Sequence, residues 1–194
     1  MEISKGYITE DYNKLDLSNH QSTDWNTATK IFINRMEPRY LVPIRLMMKE
    51  DAKIINIRER KFGFAITALI CLLIETLHCF RNGIIDNRGQ ASHTFEVFLT
   101  TSKSFSNHFD NTTARVFYDH IRNGILHQAE TKEGSRIRDI GPVIRKLSNG
   151  IAINRSLLFE LLEEEFHYYV DEISDPSNTA LRNSFKTKMD HICQ

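Results

Sequence analysis

The sequence is poor in cysteine, proline and unbroken apolar runs, and it carries no excess of either charge. Three cysteines, an odd number with no C-x-x-C pair, argue against a disulfide framework or a zinc site and predict a reducing, cytoplasmic setting. Cys71 and Cys79, if they share a helix, stand roughly 12 Å apart along its axis and cannot bond each other. Lys plus Arg equals Asp plus Glu at 25 each, so the chain as a whole lacks the basic footprint of a general nucleic-acid binder. The longest apolar stretch, Phe62 to Phe80, is interrupted by Glu75 and His78. It falls short of the roughly 20 residues that a membrane span needs, so a core helix and no membrane contact are expected. Met1 to Asp24 is polar and holds no apolar run, which predicts no secretory leader. No Walker loop, paired metal-binding acids or serine-centred nucleophile motif occurs, so polymerase, kinase and hydrolase-triad chemistries are unsupported. Neither a metal nor a cofactor is expected.

A length of 194 residues with 41% apolar content suits one domain across residues 1–194, with 1–24 as a polar N-terminal segment. Helical spacing dominates. Asp24 offers an N-cap for a helix beginning at Trp25, Pro38 and Pro43 break the next stretch into short pieces, and Ile44 to Arg60 resumes a helical pattern. Phe62, Ile66, Leu69, Leu73, Leu77 and Phe80 recur every three or four residues, which predicts the most buried helix, stopped by Asn82-Gly83. A third helix is expected over Ser92 to Phe109. Asn111 or Thr112 caps a fourth, whose stripe of Phe117, Ile121, Gly124 and Ile125 ends near His127. Val143 to Leu147 and Ile151 to Ile153 flank Ser148-Asn149-Gly150 and predict a small hairpin, the only β structure expected. Asn154 or Ser156 caps a long helix from Leu157 to Ile173, and Pro176 sits in the first turn of a last helix towards Ile192. Asn111-Thr112-Thr113 and Asn154-Arg155-Ser156 match glycosylation acceptors but read better as helix caps. The fold class is therefore all-α: a bundle of four main core helices with peripheral ones and one hairpin.

Chemistry concentrates in Arg122-Asn123-Gly124-Ile125-Leu126-His127. Arginine is always charged and forks onto phosphate oxygens, while histidine changes protonation near neutral pH. Asn123 and His127 are four apart and share a helix face, whereas Arg122 lies about 140° away from His127 around an ideal helix. The two converge only if the helix ends or distorts near Gly124, where glycine makes a departure inexpensive. The local charge is positive: between Arg115 and Lys146 basic residues outnumber acids, whereas Leu147 to Asp175 holds Arg155 alone against seven acids. Lys132, Arg136, Arg138, Arg145 and Lys146 come after the motif and are candidates for RNA-backbone contact, or solvated hairpin positions. His120, seven residues before His127, is an auxiliary acid/base candidate or a bystander. Glu75 and His78 need partners if buried; either packs beneath the motif, with Glu75 a second auxiliary candidate, or the two are a satisfied polar pair of the core.

The string R-N-x-x-x-H near the end of an amphipathic helix, with Phe117-Tyr118 before it and Gln128-Ala129-Glu130-Thr131-Lys132 after it, resembles the HEPN superfamily, in particular its plasmid- and defence-associated endoribonucleases. The likeness is close at the motif and loose over 62–173. It implies a metal-independent nuclease in which the ribose 2′-hydroxyl attacks the adjacent phosphate to leave a 2′,3′-cyclic phosphate. In that reading His127 is the acid/base group, Arg122 stabilises charge on the non-bridging oxygens, and Asn123 orients His127 or the phosphate. It further implies a homodimer with two motifs around one groove, RNA as substrate, and an antitoxin or defence partner. The alternative is a catalytically inactive HEPN domain that binds RNA, nucleotide or a partner protein. A third reading, a helical scaffold, has Arg122 closed off in an intramolecular ion pair and His127 favoured only by the helix dipole.

Overall fold

A computed structural model describes residues 1–194 and shows a mostly helical protein with two small sheets. The chain opens with β1 (Glu2–Ser4) and β2 (Tyr7–Ile8), a short antiparallel pair that leads into α1 (Thr9–Asn13). These elements correct the expectation that the hairpin near residue 150 holds all the β structure. Two or three residues are too few to show a period, so no sequence pattern marks them. The N-terminal segment also reaches the interior, because Ile3, Tyr12 and Leu17 are buried and Tyr12 Oη donates to Asp190 at 3.0 Å.

α2 (Asp24–Met36) and α3 (Val42–Ala52) are joined by a π-helical turn over Glu37–Leu41, so one helical path runs from Asp24 to Ala52. The expected break at Pro38 and Pro43 does not occur. A proline without an N–H disrupts the i→i−4 ladder, and here the backbone widens instead of stopping: the Val42 amide donates to the Glu37 carbonyl. α3 ends at Ala52 rather than Arg60, and a 3₁₀ turn at Ile57–Glu59 comes next. Asp51 draws this loop back, its carboxylate accepting the Lys61 and Phe62 amides at 3.0 and 3.2 Å. Asp24 begins α2 without capping it, and its side chain accepts the Asp16 amide.

α4 (Gly63–Asn82) is the core helix anticipated from its stripe, and Gly83 ends it in the left-handed conformation at φ 64°. Length and composition would also let α4 cross a membrane, but over half of its most apolar window is covered by the rest of the protein. It packs against α5 (Ala91–Thr101) and against the helices nearer the C-terminus. α5 is shorter than expected. After Ser102 the chain folds into turns, because the buried carboxylate of Glu165 takes the Ser104 amide at 3.2 Å and fixes the segment against the core. Phe105 and Phe109 remain buried from those turns. α6 (Asn111–Val116) is capped by Asp110, not Asn111 or Thr112, through a reciprocal box with Thr113. A second π-helical turn at Phe117–Arg122 leads into α7 (Asn123–Gln128).

The hairpin β4 (Ile144–Leu147) and β5 (Gly150–Asn154) is present, with an additional strand, β3 (Arg136–Arg138), parallel to β5. β3 has one apolar residue, Ile137, between two arginines, which hides it from a periodicity search. α8 (Arg155–Ser174) is capped by Asn154, whose Oδ1 accepts the Ser156 and Leu157 amides. α9 (Thr179–Ile192) begins after Pro176 rather than around it. One cluster of 37 buried residues runs from Ile3 to Cys193, so both ends of the chain share the core. Phe32 is its hub, contacting Phe80, Phe166, Tyr169 and Phe185; such pairs add about 0.5–1.5 kcal/mol each beyond burial.

Candidate functional site

The motif enters its helix from the π turn at Phe117–Arg122, and the backbone returns to regular α geometry at Asn123. The distortion therefore ends at Arg122 and does not fall at Gly124. Gly124 has a different duty: a Cβ there would overlap the Glu130 carbonyl oxygen, so only glycine lets the returning chain cross this close. Ala129 ends α7 at φ 53°, and the Glu130 amide reaches the Gly124 carbonyl.

Arg122 is held on three sides. Its Nη2 donates to Glu75 Oε1 at 3.0 Å, its Nη1 donates to Asn123 Oδ1 at 3.0 Å, and its guanidinium lies 5.5 Å from the centre of the Tyr118 ring. The side chains of Arg122 and Glu75 keep 16% and 18% exposure, which makes this a mostly buried pair that still touches solvent. One donor is left over, since Arg122 Nε is buried without a partner. Both residues of the pair line a cleft of about 490 Å³ whose opposite wall is the loop Asp86–Gly89. Beneath them burial pushes the Cys71 thiol up, with Arg122 acting in the opposite direction, so Cys71 stays protonated and is no nucleophile.

His127 is exposed, its side chain makes no hydrogen bond within the chain, and it does not line the Arg122 cleft. No hydrogen bond joins it to Arg122, and Asn123 serves Arg122 rather than His127. His120 faces elsewhere: its Nδ1 lies 3.1 Å from Ser135 Oγ, and its carbonyl accepts the Lys132 amide. It ties the motif helix to the loop before β3. Glu75 does lie against the motif, as the partner of Arg122.

Of the basic candidates, Arg136 and Arg145 are both in register with Ala152, one from each neighbouring strand, and Arg138 lies two residues along from Arg136. Strand alternation puts all three on the exposed face of the sheet, and none has an acidic partner. Lys146 departs from this set, pairing with Asp110 at 2.8 Å. Lys132 is half-buried beneath the motif helix. Sequence reasoning named Tyr118 only as part of the motif's surroundings and missed its contact with Arg122, which its position four residues earlier would have suggested, and it missed the Asp86–Gly89 loop. No three His, Cys, Asp or Glu side chains converge anywhere in the chain. Comparison with protein-family models, with curated proteins and with solved structures gave no match.

Proposed function

We propose that this protein is a HEPN-like endoribonuclease that cleaves RNA without a metal, through attack of the 2′-hydroxyl on the adjacent phosphate. The observation that carries the reading is the pairing of a fixed guanidinium with a free imidazole in one short helical segment. Arg122 is set by Glu75, Asn123 and Tyr118 at the mouth of a solvent cleft, and His127 is unengaged and exposed five residues later. Positioned charge supplies transition-state stabilisation, and an exposed imidazole supplies proton transfer.

Because no hydrogen bond joins Arg122 and His127 within one chain and His127 does not line the Arg122 cleft, the composite site calls for a second copy. A two-fold interface doubles any residue near its axis, so a homodimer with both motifs around one groove supplies two imidazoles and two guanidiniums. Phosphate entering the groove competes with Glu75 for Arg122. A toxin or phage-defence role, with an antitoxin or defence partner, rests only on analogy with the superfamily.

The Arg122–Glu75 pair is the contact that the scaffold reading calls for, but Arg122 is not closed off: it keeps 16% exposure and lines a cleft, which supports a second reading, in which the domain binds RNA or nucleotide without cleavage, since a neutralised guanidinium is a weaker catalyst than a free one. One experiment separates the two. Purified protein with a chelator should cut RNA to 2′,3′-cyclic phosphate ends, and His127→Ala should abolish cutting. Equal cleavage by both proteins would refute the mechanism, and RNA binding without cleavage at any protein concentration would select the second reading.

A further inference from the structure

A second cleft lies away from the motif. About 610 Å³ in volume, it opens between the loop after α3, the start of α4 and the segment following β3. Gly63 at this end of α4 and Glu75 at the motif are twelve residues apart, about 18 Å along the helix. Its floor is a charged network: Arg155, with its side chain only 4% exposed, pairs with Asp51 at 2.7 Å and Asp139 at 3.2 Å, and Arg60 also binds Asp139. Ser156 Oγ donates to the other oxygen of Asp139. Although burial raises it, hydrogen bonds from Ser156, Arg155 and Arg60 hold the Asp139 carboxyl below the usual carboxylate range.

Asp139 and Asp51 thus satisfy Arg60 and Arg155, and three further cations of the wall, Arg58, Lys61 and Arg138, have no acidic partner. Two more features point to an anion. α4 begins here with no cap from its own N-cap side chain; the Asp51 carboxylate takes the Phe62 amide, and the next amides of the first turn stay available to an anion favoured by the helix dipole. Arg155 lines the cleft although more than nine-tenths buried, and its Nε has no hydrogen-bond partner. The remaining wall is apolar: Ile57, Phe64 and Ile140 keep 43%, 38% and 60% exposure around it. Exposed apolar side chains gathered round a cationic cleft suit a ligand with one charged end and one apolar end.

We propose that this cleft binds an organic phosphate, its phosphoryl head against Arg58, Lys61, Arg138 and the amino end of α4, and its apolar body against Ile57, Phe64 and Ile140. A phosphate monoester is favoured over a carboxylate because a near-dianionic head answers three unpaired cations better than a single charge, and arginine forks match its oxygens. The volume lies within the range of small-molecule sites. The proposal is independent of the nuclease reading.

Isothermal titration calorimetry on the intact chain tests it with adenosine 5′-monophosphate and 1-naphthyl phosphate, against inorganic phosphate and adenosine. At least one organic phosphate should bind tenfold or more tightly than both controls. The double variant Lys61→Ser with Arg138→Ser should weaken that binding at least tenfold, as should Ile140→Asp. These substitutions are at exposed positions and should leave the melting temperature unchanged. His127→Ala should bind as wild type. Organic phosphates that bind no better than inorganic phosphate would overturn the proposal. So would binding untouched by the Lys61 and Arg138 substitutions, or binding lost in His127→Ala.

Discussion

The Arg122 guanidinium and the Glu75 carboxylate meet at 3.0 Å, joining the motif to the core helix α4 across a span of 47 residues in sequence. Replacing Glu75 by Gln keeps one acceptor and removes the charge, which leaves a largely buried guanidinium under-paired. A loss of about 1–2 kcal/mol is expected by urea denaturation. Arg122→Ala added to Glu75→Gln should cost less than the sum of the two single changes, because they share one interaction.

His127 is exposed and its side chain makes no hydrogen bond in the chain, so His127→Ala should leave the melting temperature within about 1 °C of wild type, in keeping with the small effect of surface substitutions. RNA cleavage should fall below detection in the same preparation. A variant that loses both stability and cleavage would show His127 to be structural.

A site shared between two copies predicts complementation. Arg122→Ala and His127→Ala, each inactive alone, should regain part of the wild-type cleavage rate when co-refolded, because a mixed dimer can assemble one intact set of groups. Sedimentation equilibrium at micromolar concentration should show the dimer. A monomer, or no regained cleavage in a mixed dimer, would sink the composite site.

Gly124→Ala drives a methyl group into the Glu130 carbonyl oxygen, and backbone on that side cannot yield as a flexible side chain would. A destabilisation of about 2–3 kcal/mol is expected, measured by chemical denaturation. Cleavage should fall with it, since displacing the Glu130 segment moves the end of α7 that carries His127.

Burial, reinforced by His93, lowers the pKa of His78 below its ordinary 6.5. In the pH range just below 6.5 the unfolded chain therefore takes up the proton before the folded one. The stability gained from keeping His78 neutral is full above pH 6.5 and declines as the pH falls towards the lowered folded-state value. Thermal denaturation between about pH 8 and pH 5 should show a plateau and then this decline, and His78→Leu should make the decline shallower.

The long elements were legible because their apolar residues repeat at helical spacing over many turns. α4 and α8 were readable for that reason, as was the β4–β5 hairpin from its turn residues. Short elements were not: β1 and β3 have three residues each, and the shortening of α5 depends on Glu165, sixty-one residues after the amide it holds. Proline in the α2–α3 path misled because its missing N–H can be absorbed by a wider turn as well as by a break. At the site, Arg122, Asn123 and His127 stood out as chemistry, but the assignment of Asn123 to Arg122 rather than to His127 is set by side-chain geometry that spacing does not encode. The cleft beside Arg138 joins residues about eighty positions apart in sequence and had no local signal.

The π turn at Phe117–Arg122 decouples two angular demands on one rod. Upstream, Phe117 must point at Phe95 and Phe109 in the aromatic core; downstream, the motif must meet Glu75 while leaving His127 in water. A straight α-helix fixes both directions with a single rotation. Widening one turn takes up an extra residue of chain and resets the azimuth, so substitutions that repack the aromatic core need not rotate the guanidinium, and the chemistry and the core can drift separately over evolutionary time.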